Sequence, residues 1–401
     1  MAEADAAPPA APAAPAAKSA QADSPFKRHS NLIIGGVLLL VAVLFPFTQD
    51  PLGTLLNNCI LALAYVVMAL GLNIVVGFAG LLDLGYVAFY ALGAYSMGWL
   101  ASDFYSTVNG GKGIFVLVGE TAKLSGAGIH LNFLLILIVA TALCALFGML
   151  IGLPTLRLRG DYIAIVTLAF GEIIYRFAAN GDTITFGSDA VKLTNGRQAI
   201  SPVDPIKLPG LSEFDSAFNL RPFYWLGLTM VVLTLFINFR VRDSRLGRAW
   251  VALREDEVAA ASMGVPLVKT KLMAYATGAA LGGMAGAFLA AYNNSVQANV
   301  FQFGFSIFIL AMVILGGLGS IWGVVLGAVF LSFLNTYFIP EVFNDVPSKL
   351  GLDFDVTEIS FGIFGFIIVL MMILRPEGLL PERRRQMEFH EQDEEVLEVR
   401  A

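Results

Sequence analysis

Long apolar runs separated by short polar stretches follow one another along the chain from residue 31 onwards. A hydrocarbon core about 30 Å thick needs roughly 20 helical residues at about 1.5 Å each. The runs approach that length and predict about ten transmembrane helices. These are Asn31–Phe47, Leu55–Val76, Leu81–Leu100, Phe133–Leu153, Tyr162–Ala178, Pro222–Phe239, Leu272–Tyr292, Phe305–Leu318, Ile321–Phe338 and Phe361–Leu374.

Only the sequence GGLGS separates the eighth run from the ninth. The two runs form either one broken helix or a re-entrant pair, because non-helical backbone is tolerated at membrane depth where protein or a cavity surrounds it. The count therefore stays open between about eight and ten. Glycine-rich faces such as Gly278–Tyr292 indicate close packing between helices.

Composition agrees with this interpretation. The chain is 57% hydrophobic and only 14% charged, with a mean hydropathy of +0.74. That is more apolar surface than a soluble domain can bury, so the predicted fold class is an all-α polytopic integral membrane protein in a lipid bilayer. A net charge of −6 excludes a basic surface for nucleic acid.

The sequence offers little support for a metal site or a disulfide. The three histidines, His29, His130 and His390, fall outside the apolar runs, and Cys59 and Cys144 fall inside different ones. We therefore expect neither a metal site nor a disulfide framework.

Three regions follow from these patterns. Residues 1–30 form an Ala/Pro-rich tail that is expected to be disordered and cytoplasmic. Residues 31–376 form the transmembrane domain, which includes a charged loop at 240–264. Residues 377–401 form a charged cytoplasmic tail.

Basic residues near the ends of the spans set the predicted orientation, since Lys and Arg accumulate on the cytoplasmic side. With the amino terminus inside, every basic cluster lies in the cytoplasm. Both termini are then cytoplasmic. The clusters are Arg157 and Arg159, then Arg240, Arg242, Arg245 and Arg248, and finally Arg375 with Arg383, Arg384 and Arg385.

Three ionisable residues, Asp83, Glu172 and Arg176, lie within the predicted spans. Each costs roughly 2.5–3.5 kcal/mol at mid-membrane unless it faces protein or water. Glu172 and Arg176 are four residues apart, which predicts an ion pair inside the bundle. Asp83 either caps freed backbone donors or contacts a passing substrate. A proton relay would need a longer chain of such groups.

Glycines surround Asp83 closely. Gly77, Gly80 and Gly85 fall within nine residues, a spacing typical of a broken helix that lines a cavity. A further polar residue, Asn73, lies at span depth. The candidate translocation pathway consists of Asn73, Gly77, Gly80, Asp83, Gly85 and Glu172.

The charged loop, RVRDSRLGRAWVALREDEVAAASMG, has a helical pattern from about Leu246 to Ser262. Leu246, Trp250 and Leu253 share one apolar stripe. Its REDE segment is net acidic, which disfavours anionic lipid headgroups. We therefore interpret the loop as a docking element for a soluble protein. The sequence contains no G-x-x-x-x-G-K-[ST] phosphate loop, so ATP hydrolysis is not expected from this chain.

Three segments carry a family resemblance: GLNIVVGFAGLLDLGYVAFYALGAY, LRLRGDYIAIVTLAFGEII and GRAWVALREDEVAAASMGVPLVKTKLMAYATGAALGGMAGAF. They resemble the permease subunits of branched-chain amino acid ATP-binding-cassette importers, of the LivM type. The similarity extends from Leu55 to Leu380 and includes GGLGSIWG and RPEGL.

That resemblance implies a heteromeric importer in the bacterial inner membrane. The partners would be a second homologous permease of the LivH type, two cytoplasmic ATPase subunits of the LivG and LivF type, and a periplasmic binding protein that delivers an amino acid. ATP and Mg would be used by the ATPases, and no cofactor would be bound by this chain.

In such importers a cytoplasmic Glu-Ala-Ala and downstream Gly pattern docks into the ATPase. Glu257, Ala259, Ala260 and Gly264 resemble this pattern, although Val258 is interposed. We expect Leu246, Trp250 and Leu253 to anchor this interface, because buried aromatic and aliphatic side chains supply most of the interface energy. The candidate coupling residues are Leu246, Arg248, Trp250, Leu253, Arg254, Glu255, Asp256, Glu257, Ala259, Ala260 and Gly264.

The sequence leaves three other functions open. Similar permeases serve urea or short-chain amides. An ion-coupled secondary transporter is a second alternative, which the scarcity of ionisable residues in the spans disfavours. An intramembrane enzyme is a third, and no nucleophile or metal constellation supports it.

Overall fold

The computed structural model describes residues 39–108, 116–118, 128–155, 161–182, 192–210, 212–343, 359–375 and 378–380. The chain divides into two compact units, residues 1–45 and 46–401. In the first unit only residues 39–45 are described, and an apolar helix begins there at Leu39. The predicted tail 1–30 and most of the tail 377–401 lie outside the described residues.

The described part of the second unit is mainly helical, because a helix satisfies its own backbone within an apolar segment. Its helices are α1 (Thr54–Asn73, continued by a π-helix, Ile74–Phe78), α2 (Val87–Leu100), α3 (Phe104–Val108), α4 (Phe133–Thr155), α5 (Asp161–Asn180), α6 (Arg221–Arg242), α7 (Arg245–Glu255), α8 (Glu257–Ser262), α9 (Leu267–Tyr292), α10 (Phe303–Gly316), α11 (Ile321–Phe333, continued by a π-helix, Leu334–Phe343) and α12 (Ser360–Leu374).

Six helices of the described residues are long and apolar enough to cross a membrane, and four shorter apolar helices accompany them. The chain is thus a multi-pass helical membrane protein, while a total of ten spans stays a prediction. The third predicted span, Leu81–Leu100, was placed too early, because its helix begins only at Val87. Residues 79–86 are not helical, since Gly80 has a φ of +69° and interrupts the preceding helix.

The predicted eighth and ninth spans correspond to α10 and α11, which are separate helices packed side by side. A Cβ added to Gly316 would overlap the backbone of Gly323, and one added to Gly327 would overlap the carbonyl of Met312. These contacts run in opposite chain directions, so the two helices are antiparallel. One continuous helix is excluded, because Gly317 and Gly319 have φ values of +111° and +86°.

Helix α9 lies at the centre of the bundle and packs against α4, α2 and α1. Glycine makes this possible: a Cβ on Gly93 of α2 would overlap the carbonyl of Gly283, and one on Gly286 would overlap that of Tyr90. Within lipid, close van der Waals packing of small residues replaces the hydrophobic effect as the force between helices. The glycine-rich sequence of α9 is therefore explained by helix packing.

The loops collect at two ends of the bundle. At one end, which we name the insert face, α7 and α8 lie beside the start of α9 and the end of α1: Trp250 donates to the carbonyl of Thr270, and Arg254 to that of Gly77. At the opposite face, the Tyr292 hydroxyl donates to the side chain of Asn57. The helices thus alternate in direction, as expected for a multi-pass bundle.

A small sheet lies at the opposite face, with strand order β1 (Ala101–Ser102), β3 (Ile129–Leu131) and β2 (Val116–Val118). β1 pairs antiparallel and β2 parallel with β3. His130 of β3 is fully buried, with Nδ1 2.5 Å from Asp204 Oδ2 and Nε2 3.1 Å from Asp103 Oδ1. These contacts tie the sheet to the loop that precedes α6.

The glycine contacts make a prediction about stability. Gly93→Ala should lower the thermal stability of the purified protein, at a cost of about 1–3 kcal/mol, because a methyl group has no room beside Gly283. Gly365→Ala is the matched control, since nothing lies within 4 Å of a Cβ added there and alanine favours a helix by about 1 kcal/mol. Equal melting temperatures for the two variants would contradict the packing described here.

Candidate functional site

The charged loop folds into two helices instead of the one predicted from Leu246 to Ser262. Helix α7 begins at its cap Ser244, whose hydroxyl accepts from the backbone N–H of Leu246 and Gly247. Asp256 then adopts an extended conformation with φ −153° and ψ 114°. Its carboxylate accepts from the N–H of Val258 at 2.7 Å and of Ala259 at 3.0 Å. The helix breaks there because an aspartate that caps a new helix competes with continuation of the old one.

We name residues 245–262 the α7–α8 insert. Its apolar stripe faces the helical bundle of the same chain. Trp250, Leu253 and Ala260 are buried, and the Trp250 indole donates to the carbonyl of Thr270 at 2.8 Å. The sequence-based expectation that Trp250 and Leu253 enter a partner is therefore wrong for this conformation: they anchor the insert to α9. The amphipathic pattern had identified the buried face correctly, but not what covers it.

Two charged side chains fix the insert further. Lys271 of α9 is buried, and its Nζ lies 2.7 Å from Glu257 Oε1 of α8. Removing the Glu257 carboxylate would leave the buried Lys271 ammonium unpaired, which is destabilising. Arg254 of α7 donates from Nη1 to the carbonyl of Gly77 at 2.8 Å. The insert is thus bonded both to α9 and to the end of α1.

The other side of the insert is exposed. Val258 is 64% exposed and Met263 85% exposed. Gly264 ends α8 with a φ of +85°, and the N–H of Val265 returns to the carbonyl of Ala260, as in a helix stop that favours glycine. Of the remaining predicted coupling residues, Leu246 is half-buried, while Arg248, Glu255, Asp256 and Ala259 are exposed.

The predicted pathway residues surround an interruption of the first long helix. α1 changes to a π-helix over Ile74–Phe78 and is followed by non-helical residues 79–86; we name residues 74–86 the broken segment. Asn73 is fully buried and its Oδ1 accepts from the N–H of Gly319 at 2.9 Å. Gly77 packs so closely on Asn73 and Gly319 that a Cβ would overlap both. Two helix interruptions therefore meet at this point.

Asp83 caps the broken segment. It is buried, and its Oδ1 accepts from the N–H of Gly85 at 2.8 Å. Thr167 of α5 accepts from the N–H of Leu84 at 3.0 Å, and Gly85 packs directly on the α5 backbone. This geometry matches the cap interpretation of Asp83. Its contact with a substrate stays a prediction.

The Glu172–Arg176 ion pair is confirmed, but its predicted place inside the bundle is wrong. Arg176 Nε lies 2.7 Å from Glu172 Oε1, with side chains 67% and 40% exposed. The pair therefore points away from this chain, because the opposite face of α5, with Thr167 and Gly171, is the one that packs on the broken segment.

Sequence analysis missed several residues that the structure brings to this site. Thr167, Thr270 and Lys271 each satisfy a contact across distant segments. Lys271 carried a usable signal, because a lysine four residues inside a membrane helix needs an acidic partner. Thr167 and Thr270 carried none, since threonine is common at packed helix contacts.

Gly80 and Gly264 allow a comparison of two left-handed positions. Substitution of either glycine by alanine should lower the free energy of unfolding by roughly 1–2 kcal/mol, because their φ values are +69° and +85°. A Cβ at Gly80 would also lie 2.5 Å from Cγ of Arg254, whereas nothing lies within 4 Å at Gly264. We expect Gly80→Ala to lower the melting temperature more than Gly264→Ala. The reverse order would show that α7 does not press on the broken segment.

The amino-acid sequence of this chain is similar to those of known transport proteins. The family of permease components of branched-chain amino acid transport systems matches residues 54–374. The high-affinity branched-chain amino acid transport permease LivM of Escherichia coli is 37% identical over 371 residues, covering 88% of this chain and 75% of that protein. A probable LivM of Methanocaldococcus jannaschii is 26% identical over 330 residues, covering 80% and 91%.

The high-affinity permease LivH of Escherichia coli is also similar, with 24% identity over 338 residues that cover 81% of this chain and 93% of LivH. No solved structure matches the chain. The match of one family over nearly all of the helical bundle, together with the identity to LivM, shows that the chain belongs to the branched-chain amino acid transport permeases.

Proposed function

We propose that this chain is a permease subunit of an ATP-binding-cassette importer and forms, with a second permease of the LivH type, the pathway for branched-chain amino acids. One observation carries the mechanism: the α7–α8 insert is bonded to the broken segment through Arg254 and Gly77 while its tip stays exposed. Relatives named LivM and LivH are both permeases of branched-chain amino acid transport. Their names support the substrate class.

The exposed side of the insert is the proposed contact with a cytoplasmic ATPase. Val258 and Met263 present apolar side chains there, and the buried stripe holds the insert rigidly on α9. A rigid, partly apolar tip favours a protein partner, because ordering costs at the interface are small. Two ATPase subunits would supply the ATP hydrolysis, with Mg, and a periplasmic protein would deliver the substrate.

The orientation follows from the charges of the insert face. Arg240, Arg242, Arg245, Arg248 and Lys269 lie at this end of the bundle, and such a cluster favours the cytoplasmic side. Residues 378–380 also pack there, since the N–H of Leu379 donates to the carbonyl of Leu315. We therefore infer a cytoplasmic carboxyl terminus and, with an even number of spans, a cytoplasmic amino terminus.

Transport would follow from movement of the insert. When the ATPases close, α7 moves with them, and its bonds to Thr270 and Gly77 carry that movement into α9 and α1. Packed interfaces shift between discrete arrangements and do not deform continuously. The bundle would thereby exchange an outward-open for an inward-open pathway.

The proposal is tested by reconstitution. Vesicles that contain this chain, the second permease and both ATPases should accumulate L-leucine when the binding protein and ATP are supplied. Accumulation should survive an ionophore that collapses the ion gradient. Uptake by this chain alone, or uptake that stops with the ion gradient, would contradict the proposal and favour a secondary transporter. Preferential uptake of urea or acetamide would correct the substrate class.

The exposed apolar side chains Val258 and Met263, which we name the docking tip, make one prediction. Val258→Glu combined with Met263→Glu should lower ATPase affinity by roughly 30-fold or more, because the loss of even one central apolar anchor costs about 2 kcal/mol or more. Co-purification of the ATPases measures this, and the second permease should still co-purify. Val300→Glu, at an exposed position on the opposite face, is the control. Retention of the ATPases by the double variant would exclude the tip as their contact.

The hydrogen bond from Arg254 to the Gly77 carbonyl makes a second prediction. Arg254→Met keeps the aliphatic stem but removes the donor to Gly77, so the ATPases should still bind while leucine moved per ATP falls by about tenfold, as for loss of a charge-assisted hydrogen bond. Lys269→Met removes an exposed charge on the same face and serves as the control. Unchanged stoichiometry in Arg254→Met would show that this bond does not transmit the movement.

A further inference from the structure

The Glu172–Arg176 pair lies at an unusual place. Counted from the start of α5 at Asp161, Glu172 and Arg176 are roughly 16 and 22 Å along the helix at 1.5 Å per residue. Glu172 therefore lies near the middle of this 20-residue helix, and Arg176 lies about 6 Å before its end at Asn180. Both side chains are nevertheless exposed on the surface of this chain.

The pair belongs to a continuous outward stripe of α5. The stripe also contains Tyr162, Ile165 and Ala169, whereas the opposite side of the helix is buried. An exposed ion pair is costly against lipid. The stripe must therefore meet protein or water, and under the proposed function both are found between this chain and the second permease.

The pair has hydrogen-bonding capacity to spare. Among the described residues, the side chains of Glu172 and Arg176 make one bond, from Nε to Oε1. The two Nη groups of the guanidinium and the Oε2 of the carboxylate remain available. A guanidinium edge fits a carboxylate with two parallel bonds, and a carboxylate accepts readily from an ammonium group.

We propose that Glu172 and Arg176 together recognise the charged groups of a zwitterionic α-amino acid in the pathway. Glu172 accepts from the α-ammonium and Arg176 donates to the α-carboxylate. Ala169 and Ile165, about one and two turns nearer the insert face than Glu172, offer apolar contact to an aliphatic side chain. The inference rests on the proposed function and adds the residues that read the substrate.

Charge balance supports this assignment. The empty site is neutral because the two residues pair with each other, and the occupied site is neutral because the ligand brings one charge of each sign. Neither state exposes a single uncompensated charge at membrane depth. A ligand with only one of the two charges would give the occupied site a net charge, so the site selects amino acids over amines and carboxylic acids.

The test uses the complete complex of permeases and ATPases in lipid nanodiscs, without the binding protein, and measures displacement of labelled L-leucine. The competitors are unlabelled L-leucine, 4-methylpentanoate, which lacks the ammonium group, and 3-methylbutylamine, which lacks the carboxylate. Glu172→Gln should weaken L-leucine binding about tenfold or more and should not weaken binding of 4-methylpentanoate. Arg176→Gln should weaken binding of L-leucine and 4-methylpentanoate but should not weaken binding of 3-methylbutylamine.

Ile138→Ala, at an exposed position on α4, is the control and should bind all three ligands like the wild type. Equal weakening of all three ligands in both Gln variants, or loss of the second permease on purification, would assign the pair to a structural contact and overturn the inference. Wild-type leucine affinity in both variants would overturn it as well. Those results leave ATP-driven leucine uptake by the wild-type complex intact, whereas its absence would overturn the proposed function itself.

Discussion

The broken segment imposes the constraint on which the structure depends: much of its non-helical backbone is buried at the insert face and must find hydrogen-bond partners in the protein. Between Gly77 and Gly85 those partners come from three directions. Arg254 of the insert donates to the Gly77 carbonyl, Thr167 of α5 accepts from Leu84, and Asp83 accepts from Gly85. The insert and α5 therefore both help to hold the interruption in place.

This dependence joins regions that are far apart in sequence. Arg254 and Gly77 are separated by 177 residues, and Leu84 and Thr167 by 83. A displacement of α7 acts directly on the end of α1, and the broken segment presses in turn on α5 through Gly85 and Gly171. The same contacts that satisfy the backbone thus form an unbroken series of packed groups from the insert to the helix that carries Glu172. Contact alone does not establish energetic coupling, which is why stoichiometry is the decisive measurement.

Local patterns predicted much of this arrangement, and long-range pairings escaped them. The four-residue spacing of Glu172 and Arg176 fixed their ion pair, because helix geometry is local. It could not fix which way the pair points. In the same way the helical period predicts that Trp250 and Leu253 share one stripe. Periodicity cannot predict that α9 packs against that stripe. The composition around Asp256 predicts the interior of one helix. Only the cap geometry of Asp256 in the structure reveals the break.

The charges at the insert face and in the bundle divide into two groups, and the division explains why this chain acts as a subunit. Lys271 and Glu257 satisfy each other, and the bonds of Arg254 and Asp83 return to the chain's own backbone. Glu172 and Arg176 point outward at membrane depth instead. This chain bonds its inward charged side chains to its own groups, yet it exposes one ion pair where lipid is unfavourable, so α5 needs a second surface to cover it. Membership of a family that includes both LivM and LivH permeases supplies a candidate for that surface.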